Sequence, residues 1–281
     1  MKLVLKKVTK KFKGKTVINE IDLKLSEGVY GLLGPNGAGK TTIFRCITGL
    51  YEVNSGVIGF IDTVDGIVDL KSEDIGYLPQ KFGVFKNMKV KDFMEYFAVL
   101  KNVPKDEIRE QVENCLKAVN LEEKINDKVK TLSGGMVRRL GIAQTLLGNP
   151  KLILLDEPTT GLDPEERIRF KKIISGISKD KIVIISTHIV EDIDAVCSKV
   201  IIMNSGRILA CKSKEEMIGS VKSNVYEVEE SQLATIEEPY FVIRLNSQGN
   251  QVYNRLITKA ELPFGKVIPS LEDAYHEFIS E

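Results

Sequence analysis

The segment Gly34–Thr41, with the sequence GPNGAGKT, has the residue types that hold a polyphosphate. It fits the pattern G-x-x-x-x-G-K-[ST], in which glycines let successive backbone N–H groups approach phosphate oxygens. Lys40 would neutralise the β- and γ-phosphates of a nucleotide, and Thr41 would bind Mg²⁺. A glycine-rich structural turn is the alternative. The apolar run Val29–Leu33 before the segment and the helix-like run Thr41–Leu50 after it favour a phosphate-binding loop.

Two acidic residues end another apolar run. Leu152–Leu155 is predicted to be a buried strand, and Asp156 and Glu157 follow it directly. At the carboxyl end of the strand, Asp156 would reach the Mg²⁺ coordination shell, and Glu157 could polarise the attacking water. On its own the motif could be an acidic loop that caps a core strand. A phosphate-binding loop in the same chain favours the catalytic interpretation.

The segment Leu132–Gly135 places a serine and two glycines before a long helical stretch, Met136–Leu147. A helix N-terminus is a second candidate anion site, because its first backbone N–H groups are free. A serine helix cap explains the same residues equally well in isolation. Their position shortly upstream of the acidic strand favours a functional role.

Three kinds of element must position these residues. The first 35 residues alternate apolar and polar positions in short runs, which predicts strands. Between Val90 and Val119, apolar residues recur at helical spacing with Pro104 between two helices, which predicts a helical insertion. Farther on, apolar runs alternate with polar-faced helices, as is typical of βαβ units and a largely parallel sheet. These runs are Leu152–Leu155, Ile182–Ile185 and Val200–Met203.

A change of pattern near Ser220 predicts a small accessory α+β unit over residues 220–281. Its last helix is predicted to start at Ser270, whose hydroxyl forms a capping-box-like pair with Asp273. Turns are predicted at 64–66 and at 247–250. The strands of this unit are predicted at Asn224–Val228, Tyr240–Leu245 and Gln251–Ile257.

Composition argues against several classes of protein. The chain has 281 residues, with 40 Lys and Arg against 39 Asp and Glu, so its net charge of +1 creates no basic field for nucleic acid. Its four cysteines lie far apart, which argues against a zinc site and a disulfide framework. No apolar run approaches the roughly 18 residues of a membrane span, and the first residues lack the apolar core of a secretory signal. We therefore expect a reduced, cytoplasmic protein.

Together the motifs resemble those of the nucleotide-binding subunit of an ATP-binding cassette (ABC) transporter. Six elements stand in that family's order within about residues 2–219. They are the phosphate-binding loop at 34–41, a glutamine loop at Ile75–Gln80, a signature at Leu132–Met136, the acidic strand at 152–157, an aspartate loop at Thr159–Asp163 and a switch histidine at His188. The resemblance implies an α/β fold of the P-loop NTPase type. It would have a mixed, largely parallel sheet core, an N-terminal antiparallel β part and a helical insertion at about 83–148, followed by the small C-terminal unit.

The resemblance also implies roles for the matching residues. Glu157, His188 and Lys40 would be catalytic, and His188 would contact the γ-phosphate. Phe12 resembles the aromatic residue that stacks on adenine, although a lone aromatic could be ordinary core. Asp163 would link the two sites of a dimer. The residues that would bind ATP are Phe12, Gly34, Pro35, Asn36, Gly37, Ala38, Gly39, Lys40, Thr41, Thr42, Gln80, Ser133, Gly134, Gly135 and Asp163. Those that would bind Mg²⁺ are Thr41, Gln80 and Asp156.

Two positions depart from the family pattern. Met136 stands where the family most often has glutamine, and Gln144 stands where arginine is common. Met136 removes a polar side chain near the signature, but Ser133 and both following glycines are kept. We therefore expect an active site.

Further segments resemble the ATPases of bacterial drug, antibiotic and peptide exporters. In such systems the permease is a separate polypeptide, so the resemblance implies a transmembrane partner and a peripheral position on the inner face of the cell membrane. It also implies an ATP-dependent head-to-tail homodimer, or a heterodimer with a related ATPase. The segments are Phe82–Phe85, Asp92–Phe93, Glu95–Ala98, Arg138–Ala143 and Ser270–Tyr275.

The alternative function is that of a soluble ABC protein acting on nucleic acid or ribosomes. Such proteins usually carry two cassettes, long coiled-coil arms or zinc modules. This sequence has one cassette, no heptad arms, no zinc spacing and no basic tract. A P-loop GTPase would carry the base-recognition motif Asn-Lys-x-Asp, which does not occur here.

Two more expectations concern surfaces. The segment Phe82–Leu100 is predicted to couple to the permease, because Phe82, Val84, Phe85 and Met88 look like exposed apolar side chains in a loop. Local packing under the helices is the alternative. The unit from about Ser220 is expected to be dispensable for ATP binding, since all six motifs precede it and it is predicted to have a separate small core.

Overall fold

The computed structural model describes residues 1–62, 66–248 and 251–280. Residues 64 and 65 of the first predicted turn, and 249 and 250 of the second, lie outside these ranges. The strands are, in chain order, β1 (Lys2–Phe12), β2 (Lys15–Leu25), β3 (Gly28–Leu33), β4 (Ser55–Asp62), β5 (Gly66–Asp69), β6 (Ile75–Leu78), β7 (Leu152–Asp156), β8 (Ile182–Thr187), β9 (Lys199–Asn204), β10 (Arg207–Ser213), β11 (Asn224–Glu229), β12 (Phe241–Gln248) and β13 (Gln251–Thr258). The helices are α1 (Lys40–Ile47), α2 (Val90–Leu100), α3 (Ile108–Ala118), α4 (Gly134–Leu146), α5 (Pro164–Ile177), α6 (Val190–Asp194), α7 (Lys214–Ile218) and α8 (Leu271–Ser280).

The central sheet has the strand order β10-β9-β3-β8-β7-β6. β9, β3, β8, β7 and β6 run parallel, and β10 pairs antiparallel with β9. Alternate residues of β7 enter two different cores, Leu154 on one face of the sheet and Leu155 on the other, which explains the unbroken apolar run. Parallel pairing brings the carboxyl ends of β3, β7 and β8 to one edge of the sheet. The predicted mixed, largely parallel sheet is confirmed.

The N-terminal part of the chain forms a second sheet with the order β2-β1-β4-β5, in which every pairing is antiparallel. Its buried residues, such as Leu5 and Ile18, share a core with Phe44 and Ile47 of α1. The β1–β2 hairpin therefore lies against the helix that follows the phosphate-binding loop. The predicted antiparallel part is confirmed.

The helical insertion packs around its own apolar residues and onto the face of the central sheet that carries Leu155. Phe93 of α2, Leu116 of α3 and Leu140 of α4 are fully buried in the same core as Leu155 of β7. This explains the helical spacing of apolar residues between 90 and 119. The insertion thus continues the core of the cassette and carries α4, which begins at the signature.

The loop before α2 is less exposed than its sequence predicted. Phe82 and Val84 pack against the core of the insertion, and Met88 is half-buried. Phe85 alone of the four is exposed, with 52% of its surface accessible. Two of the four loop residues of the predicted coupling surface are therefore engaged in local packing, and Met88 is only partly exposed. Exposed apolar residues continue from Phe85 along α2 at Tyr96, Val99 and Leu100.

The C-terminal segment forms a three-stranded antiparallel sheet with the order β11-β13-β12. Tyr226, Val228, Leu256 and Leu262 make a small core of its own. The division of the chain at residue 219/220 stays a prediction. Helix α8, which follows this sheet, does not belong to that small core.

Helix α8 packs into the large core of the cassette. Leu271, Ala274 and Tyr275 belong to the same buried cluster as Val190 and Ile193 of α6. A truncation near Ser220 would therefore uncover apolar residues of the cassette, which the expectation of a separate C-terminal core did not anticipate.

A buried ion pair ties α8 to the small sheet. Asp273 accepts a 2.6 Å hydrogen bond from Nη2 of Arg255 on β13, and neither side chain is open to solvent. Burial alone would raise the pKa of Asp273, but hydrogen bonds from Arg255 and Ser270 bring that pKa below its ordinary value. The Ser270 hydroxyl donates to the Asp273 carboxylate at 2.7 Å, so the predicted pair at the start of α8 is present. A buried charge pair of this kind is costly to break from one side.

Candidate active site

The phosphate-binding loop joins β3 to α1 and needs glycine at three positions. At Gly34, a Cβ atom would overlap the backbone carbonyl oxygen of Met203. Gly37 and Gly39 have φ angles of 83° and 111°, a region that other residues rarely adopt. A Cβ atom on Gly39 would lie 2.8 Å from Cε of Met203. Because Gly39 has no side chain to cap α1, the first backbone N–H groups of the helix are left for an anion.

The ammonium group of Lys40 folds back over this loop. Its Nζ donates to the carbonyl oxygens of Gly34 at 2.6 Å and Pro35 at 3.2 Å, and lies 3.6 Å from Oε1 of Glu157. Lys40 is buried, and burial lowers the pKa of its ammonium group, while the Glu157 carboxylate opposes that shift. A phosphate group would give this desolvated cation a stronger partner than a carbonyl oxygen.

Asp156 ends β7 with its carboxylate fully buried. Oδ1 accepts a 2.6 Å hydrogen bond from the Ser186 hydroxyl of the neighbouring β8. Oδ2 has no hydrogen-bond partner among the described residues. A buried carboxylate oxygen without a partner is costly, and a bound cation would satisfy it. Asp156 therefore fits the predicted Mg²⁺ site.

Glu157 follows Asp156 in a strained backbone conformation, with a φ angle of 47°. Its backbone N–H donates to the carbonyl oxygen and to the hydroxyl of Ser186, at 3.0 and 3.1 Å. These bonds hold the peptide so that the buried carboxylate turns towards the phosphate-binding loop. A non-glycine residue at positive φ costs about 1–2 kcal/mol, and such strain is typical of functional sites.

His188 lies one residue beyond β8 and completes the cluster. Its Nδ1 is 3.1 Å from each carboxylate oxygen of Glu157, and part of its ring remains open to solvent. Because β7 and β8 are adjacent and parallel, residues that are far apart in the sequence meet at one sheet edge. The structure thus brings together the three predicted catalytic residues, Lys40, Glu157 and His188.

A cavity of about 300 Å³ opens above the phosphate-binding loop. Thr41 and Gln80, two of the three residues predicted to bind Mg²⁺, both line it. Its lining residues are Val17, Pro35, Asn36, Gly37, Ala38, Gly39, Lys40, Thr41, Thr42, Gln80 and Glu157. A larger cavity of about 760 Å³ lies in the C-terminal unit and is lined by none of the predicted site residues.

Arg138 of α4 is a positioning residue that sequence reasoning did not find. Its guanidinium group donates to backbone carbonyl oxygens on both sides of the site. Burial lowers the pKa of the Arg138 guanidinium group, while the negative charges of Asp156 and Glu157 oppose that shift. The acceptors are the carbonyl oxygens of Pro79 at 3.3 Å, Gln80 at 3.2 Å, Asp156 at 2.9 Å, Glu157 at 2.6 Å and Pro158 at 2.9 Å. One side chain therefore joins the glutamine loop, the acidic strand end and the helix of the signature.

Comparison with known proteins agrees with this geometry. The family model described as ABC transporter matches residues 18–160. An uncharacterised ABC transporter ATP-binding protein of Bacillus subtilis, YhcH, is 36% identical over 270 residues, which cover 93% of this chain and 85% of that protein. The chain belongs to the ABC transporter family. ABC transporter ATPases hydrolyse ATP, so the chain is an ATPase.

Other members of the ABC transporter family align over similar lengths. The Nod factor export ATP-binding protein I of Rhizobium etli is 32% identical, over 95% of this chain and 90% of that protein. The structure of cbiO1 from Clostridium perfringens, part of the ABC transporter complex cbiONQ, matches with a TM-score of 0.68 and 28% identity, over 78% of this chain and 90% of that chain. In the ranges 1–62, 66–248 and 251–280, no helix is both long and apolar enough to cross a bilayer.

The ABC signature lies outside the cavity over the phosphate-binding loop. The Ser133 hydroxyl caps α4 by accepting the Met136 N–H at 3.2 Å, and Ser133 and Gly134 are exposed. Asp163 likewise caps α5, accepting the Glu166 N–H at 2.8 Å. The structure does not bring Ser133, Gly134 or Asp163 to the phosphate-binding loop of the same chain.

Gly135 and Phe12 also lie away from that cavity. A Cβ atom on Gly135 would lie 2.6 Å from Cγ of Glu166, so Gly135 packs against α5. Phe12 ends β1 and is 37% exposed, with its ring next to Tyr51.

The two departures from the usual ABC pattern fit their surroundings. Met136 is half-buried and packs against the core of the insertion. The Gln144 side-chain amide donates to the carbonyl oxygen of Tyr77 on β6 at 3.1 Å. Both side chains therefore serve α4 packing, and neither contacts the cluster around Glu157.

Proposed function

We propose that this chain is the ATP-hydrolysing subunit that drives a separate transmembrane permease in an exporter of drugs, antibiotics or peptides. The Rhizobium etli relative is named a Nod factor export ATP-binding protein, which supports the export direction of this proposal. In this arrangement the chain acts at the cytoplasmic face of the membrane, held there by its permease. The exposed side chains of Phe85 and α2 offer an apolar surface for that contact.

The contact of Glu157 with both His188 and Lys40 carries the catalytic part of the proposal. Lys40 binds the β- and γ-phosphates, on which the negative charge of the reaction is concentrated. Glu157 orients a water molecule and accepts its proton as the water attacks the γ-phosphorus. His188 donates through Nδ1 to the Glu157 carboxylate, at 3.1 Å, and so fixes the direction of that carboxylate.

Mg²⁺ would be held by Asp156 together with Thr41 and Gln80. The unpartnered Oδ2 of Asp156 is the observation that supports this assignment. When bound, Mg²⁺ neutralises charge on the β- and γ-phosphates. The protein's own part is to fix Asp156 through the Ser186 hydroxyl, which bonds Oδ1 and leaves Oδ2 for the cation.

The exposed signature supports a head-to-tail dimer that binds ATP between two subunits. Ser133 and Gly134 lie at the N-terminus of α4, face solvent and do not line the cavity over Lys40. The N-terminus of α4 suits a phosphate supplied by a second subunit. That subunit is another copy of this chain or a related ATPase.

Substitution of Glu157 by glutamine tests this function. The change keeps the size of the side chain and removes the negative charge, so steady-state ATP hydrolysis should fall by about 100-fold or more. Affinity for MgATP should persist, and light scattering should detect an ATP-dependent dimer. The matched control is Glu113→Gln on the exposed face of α3, which should retain hydrolysis. Retained hydrolysis in Glu157→Gln would contradict the role of Glu157, and a monomer at saturating MgATP would contradict the shared site in the isolated subunit.

A further inference from the structure

Tyr51 contacts the aromatic ring that is assigned to adenine. The ring centroids of Phe12 and Tyr51 are 5.2 Å apart and the rings are inclined at 75°, an edge-to-face pair. The pairing of Thr9 with Ser55 sets β4 beside β1, so the residues just before β4 run alongside the end of β1. The backbone register of this sheet therefore delivers Tyr51 to Phe12.

Arg45 fixes Tyr51 to the helix of the phosphate-binding loop. Nη1 of Arg45 donates to the Tyr51 hydroxyl at 2.7 Å, and the Tyr51 N–H donates to the Arg45 carbonyl oxygen at 2.9 Å. Arg45 belongs to the last turn of α1, whose first turn holds Lys40. Tyr51 is thus bonded through backbone and side chain to the element that positions the phosphate group.

Lys10 closes another side of the Phe12 ring. Its Nζ lies 4.9 Å from the Phe12 centroid and 5.8 Å from the Tyr51 centroid, within the range of cation–π attraction. The same Nζ donates to the Glu52 carbonyl oxygen at 2.7 Å, which holds it close to both rings. Phe12 is therefore restrained by its protein neighbours and still 37% exposed. A core aromatic would be covered, whereas a stacking platform must be restrained on one side and open on another.

We propose that Tyr51 is a positioning residue for recognition of the nucleotide base. It holds the Phe12 ring in the orientation that stacks on adenine, and through Arg45 it ties this platform to the phosphate-binding loop. The inference rests on the proposed ATPase function and on the adenine contact that the family resemblance implies for Phe12. If the inference holds, the part of the ATP affinity that comes from the base depends on Tyr51. The part that comes from the phosphates does not depend on Tyr51.

Two ligands separate these contributions, namely MgATP and magnesium tripolyphosphate, which carries three phosphates and no base. Isothermal titration of Tyr51→Leu should show an affinity for MgATP lowered about tenfold, since stacking on a base contributes on that scale. Affinity for tripolyphosphate should stay within about twofold of the unmodified protein, as should that of the control Tyr253→Leu for both ligands. Tyr51→Phe keeps the ring and loses the bond to Arg45, so its MgATP affinity should fall about threefold.

A double substitution shows whether Tyr51 acts through Phe12. In a Phe12→Ala background, Tyr51→Leu should cause no further loss of MgATP affinity. A further loss there, or an equal loss for both ligands in Tyr51→Leu alone, would overturn the proposal. The ratio of the MgATP affinity to the tripolyphosphate affinity decides between the two residues. If this ratio is unchanged in Tyr51→Leu and reduced in Phe12→Ala, the role of Tyr51 is overturned and Phe12 remains the platform. If the ratio of the two affinities is unchanged in Phe12→Ala, Phe12 does not stack on adenine.

Discussion

The N-termini of α1 and α4 both follow glycines, but the chain surrounds these two helix ends differently. The first turn of α1 lies in a cavity with a buried lysine and the carboxylate of Glu157 nearby. The end of α4 is capped by its own Ser133 and faces solvent. Because both ends suit a phosphate group, the difference lies in what the chain itself supplies. In the proposed dimer, the α1 end would supply one half of each ATP site, and the α4 end would meet a ligand carried by another subunit.

The glycines at the two ends sharpen this contrast. Gly39 has a φ angle of 111° and Met203 against it, so the fold of this chain alone requires glycine there. Gly134 has no described atom within 4 Å of a Cβ position and lies in helical backbone. Nothing described within the chain requires glycine at 134, which is consistent with close approach from outside.

The largest effect is expected when the charge at the α1 end is removed. Lys40→Ala should lower MgATP affinity by roughly 100-fold, because charge-assisted hydrogen bonds to two phosphates are lost. Equilibrium titration with MgATP measures this, and light scattering should show that the variant stays monomeric with ATP. Lys172→Ala, an exposed lysine on α5, is the matched control. Unchanged affinity in Lys40→Ala would show that the α1 end is not the phosphate site.

A bulky cation at the α4 end should separate binding from hydrolysis. In Ser133→Arg, the MgATP affinity of the monomer should stay within about twofold, whereas steady-state hydrolysis should fall by about 50-fold, since one oriented donor site contributes on that scale. Glu123→Arg places the same charge on an exposed position of the insertion and should hydrolyse ATP normally. Normal hydrolysis in Ser133→Arg would mean that the α4 end does not meet a nucleotide.

The smallest effects are expected on the free energy of unfolding when Gly39 or Gly134 is replaced by alanine. Gly39→Ala should lower the free energy of unfolding by about 2 kcal/mol, because alanine is strained at its φ angle. Gly134→Ala should leave it unchanged or raise it by up to about 1 kcal/mol, since alanine favours a helix. Urea unfolding monitored by circular dichroism measures both. Equal losses would show that the fold depends on Gly134 as it does on Gly39.

Much of the site could be predicted because its residues end strands that are adjacent and parallel. Leu33, Asp156 and Thr187 terminate β3, β7 and β8, and apolar runs in the sequence mark those strands. Helical spacing of apolar residues predicted α2 and α3, and the capping pair at Ser270 predicted the start of α8. These features depend on local sequence, which periodicity and capping rules describe.

The features that escaped prediction depend on partners without a sequence pattern. Arg138 binds backbone carbonyl oxygens, which every residue carries, so nothing in the sequence marks its acceptors. The start of α8 was predicted from its capping pair, but a capping pair does not say which core the helix covers. The contact of Tyr51 with Phe12 follows from the register of β4 against β1, which the sequence does not state.

The packing of α8 on α6 also bears on how the protein is made. Synthesis on the ribosome proceeds from the N-terminus, and parts of a chain begin to fold as they emerge. Val190 and Ile193 leave the ribosome well before Leu271, Ala274 and Tyr275, their partners in the finished core. Throughout that interval α6 lacks the apolar partners that α8 supplies in the finished core. The part of the ATPase core that α8 covers is therefore completed only after the C-terminal helix has been translated.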